Sequence, residues 1–144
     1  MAVNNNTVIN NVGEGTPGQE GGGIVVVAFN NAALQISLQG NQLRGNATFS
    51  NGFSGLGMVS LDNAQIFANV RFNTFTANAA PGFNAQATGS SNICLKLNNN
   101  TSDSVLIVGR AVGTTFRADT LGNAGPPVVE SGLPLQPIGN CVVP

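Results

Sequence analysis

Arg71, Lys96 and Arg117 are three of the five basic residues in this 144-residue chain. Each directly follows an apolar residue, Val70, Leu95 and Phe116, inside a phrase that repeats, so the three hold one recurring position. Earlier copies carry Asn4 and Gln39 there. Stacked at the ~4.8 Å spacing of neighbouring strands, they make an outward column of positive charge. Such a column offers successive contacts to an acidic glycan or an anionic surface. Like charges that close are mildly unfavourable. The plainer reading is a solvated face that also blunts edge association, and on sequence alone it is preferred.

The acids are Glu14, Glu20, Asp62, Asp103, Asp119 and Glu130. Cleaving a polysaccharide takes clustered carboxylates, or a calcium site beside a basic residue. Here Asp103 and Asp119 fall in bends of adjacent copies at different template places, Asp62 belongs to another wall, and Glu14 and Glu20 lie in a loop. Neither Trp nor Tyr is present as a platform for a sugar ring. The expectation is no catalytic residue, no metal and no cofactor.

Cys94 lies between Ile93 and Leu95, which point inward by alternation, so its own side chain faces out. Cys141 is in the tail. A Cys94–Cys141 bridge would tie the tail to the repeats, as an oxidising compartment permits. Two free thiols are the alternative.

A repeat must position all of these residues. Its template is apolar-x-x-Asn-x-apolar-x-x-Asn, clear at Val3 to Asn11, Leu38 to Asn46 and Val70 to Asn78, weaker at Leu95 to Asp103, and degenerate at Phe116 to Ala124. Starts at 3, 38, 70, 95 and 116 give intervals of 35, 32, 25 and 21 residues. That period, with β-type composition, marks a solenoid. The chain holds 21 Asn and 19 Gly, the residues that bend backbone most cheaply, so it turns often. At 42% hydrophobic, with apolar residues at repeating positions, it is not a disordered chain.

Alternation sets Leu38, Val70, Leu95 and Phe116 in one inward column, with Leu43, Phe75 and Leu121 in another. Asn6, Asn41, Asn73 and Asn98 at the intervening bend form a ladder of side-chain amides from copy to copy. A fixed offset of 32 sets Val26 on Met58, Leu34 on Ile66 and Ile36 on Ala68. Gly-rich excursions at 12–23 and 47–57 are insertions at one corner. Residues 1–124 therefore read as an all-β, single-stranded parallel β-helix of about five coils. Pro126, Pro127, Pro134, Pro137 and Pro144 break regular pairing, so 125–144 reads as an irregular C-terminal cap.

Two motifs carry a family resemblance. Phe75-Thr76-Ala77-Asn78 is an FxxN tetrapeptide, with Val8 to Asn11 and Leu43 to Asn46 as apolar variants. Gly22-Gly23-Ile24 and Gly55-Leu56-Gly57-Met58 stand where a GGA[ILV] motif would follow, and the third copy lacks it. Over residues 1–103 this pairing resembles the polymorphic outer-membrane proteins, autotransporter adhesins with a right-handed parallel β-helix passenger. No membrane-barrel segment accompanies it. The resemblance implies a right-handed helix on a bacterial cell surface.

The functional reading is a non-catalytic structural and adhesive module, cell-surface or secreted, cut from a larger passenger and meeting a host-surface receptor or an acidic glycan. Met1-Ala2 runs straight into the first copy, so the targeting segment is expected elsewhere. Right-handed β-helices also host polysaccharide lyases and hydrolases. One alternative is thus a carbohydrate-active, pectate-lyase-like helix whose catalytic coils are missing. Another is a self-assembling solenoid, joined end to end through the free edge at Val3 to Val8. A net charge of -1 with 8% charged residues gives no electrostatic case for nucleic acid. No run reaches the ~18–20 apolar residues of a membrane span.

Overall fold

The computed structural model describes residues 1–9, 12–13, 23–48, 55–78 and 81–144. Most of both excursions, with Glu14, Glu20 and Asn11, lies outside the described residues. The described residues form strands and turns without a helix. Apolar alternation makes each segment a strand with one inward face. The frequent Asn and Gly let the chain turn before it can pair with itself, so strands pair only with strands a full repeat away.

The result is parallel sheets stacked like walls. The first wall orders Ala2–Asn4, Ala33–Gln39, Gln65–Arg71, Asn92–Asn98, Thr115–Asp119 and Gln136–Pro137. The second orders Thr7–Ile9, Gln42–Arg44, Thr74–Thr76 and Thr101–Ser102. The third orders Ile24–Ala28, Leu56–Ser60, Phe83–Ala87, Leu106–Arg110 and Val128–Gly132. Val12–Gly13 and Ala47–Thr48 form a small fourth pair. Each of the first four repeats, or rungs, lays one strand on each main wall, giving an all-β, parallel, solenoid-like molecule.

The core lies between the walls. Leu38, Val70 and Leu97 stack in one column, Ile36, Ala68 and Leu95 in a second, and Ile66, Ile93 and Phe116 in a third, all buried. Burying a side chain of Leu or Ile size contributes about 1.5–3 kcal/mol, and no single rung could bury its own.

The register departs from the sequence template at the fourth rung. Val70 faces Leu97 and not Leu95, while Phe116 faces Ile93. Successive ladder residues are therefore 35, 32, 27 and 23 apart. Asn98-Asn99-Asn100 offers more than one way to align the template. A two-residue slip also keeps every side chain within a strand on its own face, so alternation cannot choose. The same slip moves Leu121 out of the expected inward column to a corner, where it is 75% exposed.

Positive-φ residues stack at the corners: Asn5, Gly40, Phe72, Asn99 and Gly122 at one, Gly45 and Ala77 at the next, Asn30, Asp62, Gly89 and Gly113 at a third. A separate glycine column precedes the third wall. A Cβ on Gly55 would strike the carbonyl oxygen of Gly82, which already accepts the Leu56 N–H at 3.0 Å. Gly82 holds the equivalent place in the third rung, as a single glycine without the rest of the motif.

The tail is more regular than its prolines imply. Val128–Gly132 pairs in register with Leu106–Arg110, and Gln136–Pro137 with Arg117 and Ala118. Pro137 is tolerated because it sits on the outermost strand, where a missing N–H costs no ladder bond.

Candidate functional site

The ladder residues position everything else. Asn6, Asn41, Asn73 and Asn100 each donate the backbone N–H and one Nδ2–H to the Oδ1 of the next Asn, ending at Asn123, at 2.9–3.1 Å. The other Nδ2–H of Asn41, Asn73, Asn100 and Asn123 goes back to the carbonyl of Val3, Leu38, Val70 and Leu97, at 2.7–3.0 Å. An amide oxygen accepts twice and an amide nitrogen donates twice, so the interior members are saturated. Asn98, expected in this ladder, is instead on the outer face, donating to Leu121 O at 3.3 Å. Asn100 and Asn123 take the ladder places. A second, shorter ladder joins Asn46 to Asn78, with Asn78 Nδ2 returning to Leu43 O at 2.9 Å. The second Asn of the template is thus a ladder residue in its own right.

The described acids serve the backbone. Asp62 Oδ2 accepts the N–H of Asn30 at 3.1 Å, and Asp103 Oδ2 that of Ala77 at 2.7 Å. Both donors are positive-φ residues one rung earlier. Glu130 Oε2 accepts Leu135 N, and Asp119 Oδ1 accepts Leu121 N. No group of three or more His, Cys, Asp or Glu that could hold a metal occurs among the described residues.

The three cations share the outer face of the first wall but not a column. Arg71 faces Gln39 and Asn98; Lys96 faces Asn69 and Asp119; Arg117 faces Cys94 and Gln136. Each step moves one strand along the axis and two residues along the strand, placing neighbouring cations on a diagonal at about 8 Å. The expected ~4.8 Å column is therefore corrected, for the same two-residue reason as the ladder. Arg71 and Lys96 come together with Asn98, Asn99, Asp119 and Leu121 around one notch of about 330 Å³. Arg117 lines a different one, beside Gln136, Pro137 and Asn140 of the tail.

Phe72 follows Arg71 in the chain and stacks on Asn99, a lining residue of that notch, in the corner column. Its φ is 57°, it is 58% exposed, and Arg71 Cζ lies 5.9 Å from its ring centroid. A search for Trp and Tyr overlooks it. The available signal was an aromatic at a place held by Asn or Gly in the other rungs.

Cys94 and Cys141 are disulfide-bonded, with Cα atoms 5.7 Å apart. Cys94 faces outward, as alternation requires, yet is 3% exposed. The tail lies against this face: Asn69 Nδ2 donates to Pro144 O at 2.6 Å. Arg110, in an otherwise inward column, turns to the same end and donates to Pro134 O at 2.7 Å and Thr114 O at 2.9 Å.

The chain matches no protein-family model, and comparisons with curated proteins and with solved structures give no match.

Proposed function

We propose that this chain is a segment of right-handed parallel β-helix, about five coils long, acting as a non-catalytic structural and adhesive module outside the cell. Right-handedness is the general rule for crossovers between parallel strands in one sheet. The Cys94–Cys141 bridge supports an extracytoplasmic compartment, because such bonds persist where the surroundings oxidise. The likeness to autotransporter passengers is supported by what its motifs do physically. The Asn of FxxN makes the second ladder at Asn78, and the glycine admits the next rung's carbonyl at Gly55.

One observation carries the adhesive reading: Arg71 and Lys96 share a notch on the outer face of strands held by the Asn ladder. A rigid wall presents these groups without a backbone ordering cost on binding. The purified chain, tested at low salt on an array of acidic polysaccharides, neutral polysaccharides and extracellular-matrix proteins, binds at least one class. Binding to none overturns adhesion.

End-to-end self-association is the second reading, favoured by the first rung. Ala2–Asn4 and Thr7–Ile9 are outermost strands, and Val3 and Val8 there are only partly buried. Light scattering that shows a monomer at every concentration removes it.

A further inference from the structure

Phe72 is the residue that the fold does not account for. Its corner is held in the other rungs by Asn5, Gly40, Asn99 and Gly122, types that adopt a positive φ at little cost. A bulky aromatic there is strained, and at 58% exposure burial does not repay it. Strain of this kind points to a use outside the fold.

The surroundings say what use. Below Phe72 the notch joins two cations, Arg71 and Lys96, to one acid, Asp119, so its formal charge is +2 - 1 = +1. Arg71 also lines the notch, and its guanidinium is a fork of donors suited to a carboxylate. Asn98 and Asn99 add amides, and Leu121 an exposed apolar side chain, at 75%. The Phe72 ring holds the Arg71 guanidinium near it by a cation–π contact.

We infer that this notch is a subsite for one acidic sugar residue, a pyranose bearing a single carboxylate. The carboxylate meets Arg71 and Lys96, the amides meet hydroxyls, and the C–H face of the ring lies against Phe72 and Leu121. Asp119 admits one negative charge and disfavours densely sulfated chains. The inference rests on the adhesive reading and narrows it to a ligand class.

The test uses sodium glucuronate, glucose and a polyuronate as probes, with binding followed by saturation-transfer NMR and calorimetry. The polyuronate binds wild type, glucuronate competes and glucose does not. Arg71→Gln combined with Lys96→Gln loses about tenfold or more. Arg117→Gln binds as wild type does. Phe72→Asn loses about fivefold in affinity while its Tm rises by roughly 2–5 °C as strain is released. Three results overturn the subsite: Phe72→Asn binding like wild type, Phe72→Asn melting lower, or glucose competing as well as glucuronate. If the array finds only neutral glycans or proteins, the subsite fails and adhesion stands. If it finds nothing, both fail.

Discussion

Asn73 donates two hydrogen bonds, from its backbone N–H and from Nδ2, to the single oxygen Asn100 Oδ1, each at 3.0 Å. Asn73 Oδ1 in turn accepts two from Asn41, at 2.9 and 3.0 Å. Every bond is buried, so removing one amide strands donors and acceptors on both sides. Asn73→Ala should cost about 2–4 kcal/mol.

The register makes a sharper version of that prediction. Asn100→Ala should destabilise like Asn73→Ala, lowering Tm by roughly 6–12 °C. Asn98→Ala, two residues away on the outer face, should move it by less than about 3 °C. Equal melting temperatures for the two variants would place the ladder wrongly.

Gly55→Ala should be among the most damaging single-methyl changes in the chain. The added Cβ meets the Gly82 carbonyl oxygen, a backbone atom held by the Leu56 N–H at 3.0 Å. Relief requires moving one rung against the next, at about 2 kcal/mol or more. Urea denaturation with an unchanged midpoint would contradict this.

Ala77→Gly should stabilise. Ala77 has φ 51°, and Gly45 fills the same corner one rung earlier. Releasing the left-handed strain on Ala outweighs the extra freedom of the unfolded glycine, for a net gain of about 0.5–1 kcal/mol. The readout is a Tm higher by roughly 2–4 °C; a drop would mean that the Ala77 methyl has a packing role.

Cys94→Ser combined with Cys141→Ser should cost about 2–4 kcal/mol, from a loop closed across 47 residues. The loss should be local first. Amide exchange should quicken along Val128–Gly132 and the tail before it does in the strands around Phe75. Uniform quickening throughout would show that the tail and the repeats open as one unit.

Much of the fold was legible because β-structure writes its period into the chain. Alternation put Ile36, Leu38 and Val70 inside, the offset of 32 put Val26 on Met58, and the parity of Cys94 between Ile93 and Leu95 faced it outward toward Cys141. Each of these follows from the local backbone, in which neighbouring side chains must take opposite faces. Within the strands, the sequence by itself determined which face each residue shows, and that strands pair a repeat apart.

Only the tertiary structure decided which residue lies beside which across rungs. Parity is blind to a slip of two, so Asn98 and Asn100 were equivalent on paper; the saturated bonds from Asn73 to Asn100 Oδ1 separate them. The same slip turned a column of Arg71, Lys96 and Arg117 into a diagonal, gave Lys96 Asp119 as its neighbour, and divided the cations between two notches. The pairing of Gln136–Pro137 with Arg117 and Ala118 was also hidden, since prolines forbid a strand only where their missing N–H would face a partner, and the edge of a sheet has none. Contacts between residues far apart in the chain depend on how whole rungs settle on one another, and no local pattern records that.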